Sequence, residues 1–180
     1  LLDSLGDVKG FDKEAFENVH ASGEQITSIR INPIKISESE ASRLRGGLEG
    51  AVPWSQYGHY LKERPSFTFD PLFHAGCYYV QEASSMFLES ALRQLIKSDQ
   101  PVKVLDLCAA PGGKSTHILN TLPEGSLLVS NEVIASRNNI LQQNLTKWGY
   151  SNVVVTQNDA ADFSRLRGFF DVIAVDAACS

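Results

Sequence analysis

Val102-Lys-Val-Leu-Asp-Leu-Cys-Ala-Ala-Pro-Gly-Gly-Lys-Ser115 is the stretch that decides how this chain folds. Its first half is an apolar run closed by an acid, and its second half is a turn of small residues, so a strand is expected at 102–107 and a tight connection at 108–113. A helix follows over Lys114 to Leu122. Working downstream, Ser126-Leu-Leu-Val-Ser130 reads as a strand, and Ile134, Asn138, Leu141, Leu145 and Trp148 mark one face of the next helix. The strands Val153-Val-Val-Thr156 and Asp171-Val-Ile-Ala-Val-Asp176 complete the series. Near-continuous apolar strands alternating with helices predict a parallel sheet covered on both faces.

Upstream, Ala83, Phe87, Ala91, Leu92, Leu95 and Ile96 recur at helical spacing, and an amphipathic helix starting near Gln81 is expected to open this second unit, 81–180. Residues 1–80 read as a smaller α/β segment. It has a short helix around Phe11 to His20, a strand Ile26-Thr-Ser-Ile-Arg-Ile31 closed by Asn32-Pro33, and a polar helix capped by Ser37-Glu-Ser-Glu40 and stopped by Gly46-Gly47. From Val52 to Tyr79, Pro53, Pro65 and Pro71 separate aromatic pieces, which favours short strands and turns.

The bulk properties bound the reading. A chain of 180 residues, 43% hydrophobic and 21% charged, can bury one sizeable core and a smaller neighbour. Cys77, Cys108 and Cys179 are too few and too widely spaced for a disulfide framework or paired zinc ligands, so no metal is expected. No apolar run is long enough to span a bilayer and no signal peptide opens the chain, which points to the cytoplasm and no membrane partner. The net charge of −5 argues against coating nucleic acid through overall electrostatics, though not against a local basic patch. The chain lacks an initiating Met and stops four residues past an apolar strand, as expected of part of a longer protein.

In a doubly wound sheet, ligands bind beyond the carboxyl ends of the strands, and the first strand-to-helix turn is the usual nucleotide site. Cys108, Ala109, Ala110, Pro111, Gly112 and Gly113 occupy that turn, with Lys114 opening the helix. A dinucleotide calls for Gly-x-Gly-x-x-Gly, which these adjacent glycines match poorly. A P-loop needs a glycine where Cys108 stands, although Gly113-Lys114-Ser115 imitates its end. The third candidate is S-adenosylmethionine, whose methionine end would meet the loop. Glu132 then ends the second strand where an acid meets a ribose diol, Asp159 follows the third strand within reach of an adenine amine, and Asp176 ends the fourth beside the same crevice. Each acid alone is more simply a helix cap or a solvated loop residue; together behind a glycine turn they point to a site. Cys108 is read as contributing its backbone, and a residue placed as Lys114 is more often a helix-start residue than a ligand, though its N–H and its charge are both near the expected carboxylate.

The string Asp106-Leu-Cys-Ala-Ala-Pro-Gly-Gly-Lys-Ser115 resembles the first methyltransferase motif of the RNA cytosine-5 methyltransferases of the Sun or Fmu family. The resemblance continues through Asn131-Glu132, Asn158-Asp159 and Asp176-Ala-Ala-Cys-Ser180, and upstream through Ser28-Ile-Arg-Ile-Asn32 and His74-Ala-Gly-Cys-Tyr-Tyr-Val-Gln-Glu-Ala-Ser-Ser-Met86. It covers the chain from about residue 25, and the His74 to Met86 stretch is most similar to the bacterial branch acting on small-subunit ribosomal RNA. The resemblance implies a class I S-adenosylmethionine-dependent methyltransferase core of strand order 3-2-1-4, preceded by the small α/β segment and cut after the fourth strand. Residues Cys108 through Lys114 would surround the methionine portion of the cofactor, with Glu132, Asp159 and Asp176 as further contacts.

Carbon 5 of cytosine is a weak nucleophile, so such enzymes add a thiolate to carbon 6, transfer the methyl group and eliminate the thiolate. By resemblance, Cys179 is the assisting cysteine and Asp176 the residue that hydrogen-bonds the base, while the attacking cysteine is expected beyond Ser180, leaving this segment inactive by itself. The family pattern has proline where Ala178 stands, and its absence bears on how Cys179 is aimed. A buried, inert thiol is the alternative to that role for Cys179. The expected partner is RNA, as ribosomal RNA or a pre-ribosomal subunit, and the expected state is a monomer. Arg30, Lys35, Arg43, Arg45, Lys62 and Arg64, interleaved with Trp54, Tyr57 and Tyr60, could hold phosphates and stack bases, or be ordinary solvated charges and core aromatics. Rival readings are a methyltransferase of another substrate class, disfavoured for amino groups by the lack of an Asn-Pro-Pro-Tyr type motif, and a non-catalytic binding fragment.

Overall fold

The computed structural model describes residues 2–23 and 25–177. After the short helix α1 (Leu2–Leu5), Asp12 caps α2 (Lys13–Ser22) by accepting from the Ala15 N–H, and Gly23 ends it. The strand β1 (Thr27–Ile31) is buried along its whole length because it lies inside a sheet rather than at its edge. Ser37 and Glu40 form a reciprocal capping box on the one-turn helix α3 (Glu38–Ala41), as the Ser-x-x-Glu spacing predicts. Then come β2 (Leu48–Ala51), β3 (Gly58–Leu61), the one-turn helix α4 (Pro71–His74) and β4 (Tyr78–Val80). These strands form an antiparallel sheet of order β2-β3-β1-β4, over a core of Ile29, Ile31, Leu44, Leu61 and Tyr78.

The second sheet is built from β5 (Lys103–Asp106), β6 (Leu127–Asn131), β7 (Val153–Thr156) and β8 (Val172–Ala174), all parallel, in the order β7-β6-β5-β8. This is the expected 3-2-1-4 order. Val104 and Leu128 are fully buried against Ile118 and Leu119 of α6 (Gly113–Thr121) and Leu141, Leu145 and Trp148 of α7 (Ala135–Trp148). The helix α5 (Leu88–Leu95) adds Leu92 to the same core.

Two expectations need correction. The amphipathic helix read from Gln81 starts as a 3-10 turn over Ser84–Phe87 and becomes α-helical only at Leu88. Its inward residues are Met86, Glu89 and Leu92, while Phe87 and Leu95 are 59% and 66% exposed. The inward face is chosen by Glu89, a carboxylate whose hydrogen bonds make its burial tolerable. Cover on both faces of the parallel sheet is also incomplete among the described residues. The cross-sheet row Ile173, Leu105, Val129, Val154 lies on the face away from Val104 and Leu128, and its outer members Ile173 and Val154 are 57% and 47% exposed.

Candidate cofactor and substrate site

The glycine loop hangs from its neighbours. Leu107 N–H donates to the Ala174 carbonyl on β8, and Ala109 N–H donates to the Asn131 carbonyl on β6. Asn131 also ties three strand ends together: its amide donates to the Leu107 and Asn158 carbonyls, and its Oδ1 accepts from Thr156 Oγ1 and the Asn158 N–H. The two adjacent glycines have different reasons. Gly112, at φ +108°, takes a backbone conformation that side chains resist, whereas a Cβ on Gly113 would stand 3.2 Å from Tyr79 Cε1. Small residues thus let the loop and the first turn of α6 lie tight against the N-terminal sheet.

Asp106 is buried at the end of β5 and accepts from Ser115 Oγ at 2.6 Å, and Ser115 accepts in turn from Ser130 Oγ. Burial pushes the Asp106 carboxyl up to about 6, against the pull of the Ser115 hydrogen bond and Lys114. Burial likewise raises the Cys108 thiol, with the Glu132 and Asp106 carboxylates adding to the effect, so Cys108 stays a thiol and its side chain is no nucleophile.

Glu132, just past β6, is 3% exposed; its Oε1 accepts the Ile134 N–H and its Oε2 lies 3.6 Å from Arg137, which also donates to the Ala110 carbonyl. Asp159 is exposed and caps the 3-10 helix Ala160–Arg165, accepting from the Ala161 N–H at 2.9 Å. Asp176 is ion-paired with Lys114, both beside the loop. Cys179, together with Ala178, lies outside the described residues. A cavity of about 180 Å³ is lined by Cys108, Ala109, Ala110, Pro111, Gly113, Lys114 and Asp176 on the core side and by Tyr79, Gln81 and Ser85 from the preceding segment. Neither Glu132 nor Asp159 lines it. A larger groove of about 620 Å³ along α7, between Lys35 and Lys147, contains no loop residue.

Sequence reasoning missed Asp106, Tyr79, Gln81 and Ser85 as site residues. The strand period of two puts Tyr79 and Gln81 on one face, which is the signal that was available. The expected basic patch also changes. Arg30 is fully buried and cannot meet RNA: its guanidinium stacks 4.8 Å from the Trp148 ring and donates to the Thr116 carbonyl and hydroxyl, the Gly113 carbonyl and Gln81 Oε1. Lys35 Nζ is held by the Ala75 and Lys147 carbonyls. Trp54 is pinned by its Nε1 donating to the Ala83 carbonyl. Arg43, Arg45, Lys62 and Arg64 remain exposed.

The chemistry of the donor set fits S-adenosylmethionine. Small loop residues allow close backbone approach, the α6 N-terminus and Lys114 stand beside the loop where a cofactor carboxylate would sit, and Glu132 follows the second strand. Fold and site together define a class I S-adenosylmethionine-dependent methyltransferase core. The family profile described as "N-terminal domain of 16S rRNA methyltransferase RsmF" matches residues 3–83, and that described as "16S rRNA methyltransferase RsmB/F" matches residues 93–180. The chain belongs to this 16S rRNA methyltransferase family. Ribosomal RNA small subunit methyltransferase F of Pectobacterium atrosepticum is 38% identical over 161 residues, covering 85% of this chain and 33% of the relative. Its namesake from Shewanella piezotolerans is 35% identical over 159 residues, with 85% and 34% covered. The chain therefore spans about a third of the length of these curated relatives. Among solved structures, a methyltransferase homolog protein from Pyrococcus horikoshii superposes with a TM-score of 0.76 at 30% identity, covering 93% of this chain and 55% of that one. Among the described residues no helix is long and apolar enough to cross a membrane.

Proposed function

We propose that this chain is the N-terminal and cofactor-binding part of a cytoplasmic, monomeric enzyme that methylates carbon 5 of a cytosine in small-subunit ribosomal RNA. The observation that carries this reading is the cavity in which the glycine loop, the Lys114–Asp176 pair and Gln81 converge beside the α6 N-terminus. In this reading residues 1–80 form an RNA-facing unit and 81–180 the first part of the catalytic domain.

S-adenosylmethionine supplies an electrophilic methyl group. Residues Cys108 to Lys114 would surround its amino-acid end, with the Lys114 charge and the backbone N–H groups other than those of Ala109 and Gly112, which are already bonded, while Glu132 would offer carboxylate oxygens to the ribose diol and Asp159 would meet the adenine side. Asp176 accepts from the exocyclic amine of the cytosine and so orients the ring. A cysteine thiolate would add to carbon 6, carbon 5 would take the methyl group from the sulfonium, which leaves as the thioether S-adenosylhomocysteine, and a base would take the carbon 5 proton as the carbon 6–sulfur bond breaks and returns the thiolate. Cys179 assists that last stage, by the family resemblance.

Calorimetry on this chain should show S-adenosylmethionine binding and none for ATP. The full-length protein should place methyl groups on cytosine in small-subunit RNA, detected by bisulfite sequencing, and Cys179→Ser should accumulate the covalent RNA adduct. Loss of adduct in that variant would reverse the assigned role.

A further inference from the structure

We infer that Gln81, held by the buried Arg30, is a substrate-binding residue that donates its side-chain amide to the carbonyl oxygen at position 2 of the target pyrimidine. This rests on the reading of the site as a cytosine-5 methyltransferase centre and names a residue to which no role has been given.

The orientation of the Gln81 amide is fixed by chemistry. Arg30 Nε can only donate, and it lies 2.9 Å from the Gln81 side chain, so the atom facing it must be Oε1. The backbone of Gln81 is equally fixed: its N–H donates to the Ser28 carbonyl, and its carbonyl accepts from Ser28 Oγ at 2.6 Å. Arg30 has no freedom to release it, since the rest of its guanidinium is spent on Thr116 and Gly113. Gln81 is only 8% exposed, yet it lines the cavity beside the glycine loop. Its Nε2 has no hydrogen-bond partner among the described residues. With Oε1 taken by Arg30 and Nε2 not among the buried atoms left without a partner, the amide nitrogen is the open end of this cavity-lining side chain, and its two N–H groups are free for an acceptor there.

The shape and charge of the cavity select that acceptor. Its glycine-loop wall is the one assigned to the amino-acid end of the cofactor, whose ribose and adenine contacts Glu132 and Asp159 lie outside it, so the wall of Tyr79, Gln81 and Ser85 is left for the substrate within a volume of about 180 Å³. A single heterocyclic ring is the matching size. The carbonyl at position 2 lies on the same edge of the ring as the amino group at position 4, so with Asp176 accepting from the latter, a donor reaching along that edge meets the former. Gln81 comes from the segment after β4, whereas Asp176 follows β8 and Lys114 opens α6, so the donor and the acceptor stand on different walls.

The test uses the full-length protein with Gln81→Glu, which keeps an acceptor for Arg30 but removes the donor to the cavity. Its thermal midpoint and its Kd for S-adenosylmethionine should match those of the unsubstituted protein, while kcat/KM for the RNA falls by about tenfold or more. Gln81→Met, which removes both ends of the bridge, should lose RNA turnover and also stability. Unchanged kcat/KM in Gln81→Glu would overturn the assignment. A parallel rise in the Kd for S-adenosylmethionine would overturn it too, moving Gln81 to the cofactor's carboxylate. Failure of the unsubstituted protein to methylate cytosine would instead sink the proposed function, which keeps the two failures distinguishable.

Discussion

Gly112 and Asp106 set the tolerance of the loop, and each can be checked alone. Gly112→Ala places a side chain at φ +108° and 3.3 Å from Leu141 Cδ1, so urea unfolding should show a loss of roughly 1–2 kcal/mol. The buried Asp106 titrates near 6 in the folded chain, above its unfolded value of 3.8, because burial penalises its charge. Below both values the carboxyl is neutral in both states and costs nothing. As pH rises through about 4 to 6 the unfolded chain ionises first, and the folded state loses up to about 3 kcal/mol relative to it. Asp106→Asn keeps an acceptor for Ser115 and should flatten that slope in denaturation curves measured across the window.

At the scale of elements, the packing of α5 on α6 is decided by Glu89. Its carboxylate accepts from Ser55 Oγ, the Gln56 N–H and Arg93, and faces His117 Nε2 at 3.0 Å. Burial works against its charge, but the hydrogen bonds from His117, Arg93, Ser55 and Gln56 outweigh it and hold the carboxyl at about 2. That stability is present above the ordinary carboxylate range and is lost as pH falls toward 2. Glu89→Ala should cost about 3 kcal/mol, read by chemical denaturation at neutral pH, since it strands the donors that surround it.

The sequence could not show this packing: a Glu two residues into an apolar-patterned helix reads as solvent-facing, and of its partners only Arg93 is near in sequence, His117 and Ser55 lying 28 and 34 positions away. Strand and helix positions and the glycine loop were legible because they follow from local periodicity and turn chemistry, whereas the strand order came from the family resemblance. The pairing of β1 with β3 and β4 was not, since short strands broken by prolines carry no local mark of their neighbours. The same holds for Arg30, which reads from sequence either as a phosphate-holding residue or as a solvated charge and is in fact fully buried.

For the whole molecule, two surfaces matter. The sheet face bearing Ile173 and Val154 is apolar and open among the described residues, so this 180-residue chain should enhance the fluorescence of an apolar dye, and Ile173→Lys should reduce it. The opposite property belongs to Arg43, Arg45, Lys62 and Arg64, exposed on the N-terminal unit of an otherwise acidic chain. Replacing Lys62 and Arg64 by Ala should weaken RNA binding at every sequence and lower the slope of log K against log salt by about 1–2. An unchanged slope would remove these residues from the RNA path.

The Arg30 bridge has a consequence for anyone recombining relatives. Its donors on Gly113 and Thr116, the Tyr79 ring against Gly113, and Asn32 on the Trp148 carbonyl cross from the antiparallel sheet to the helices α6 and α7 that cover the parallel one. The two halves are therefore not interchangeable parts. A chimera that joins the front of one homologue to the core of another will work only if residues 30, 32, 79 and 81 travel with the core they were matched to.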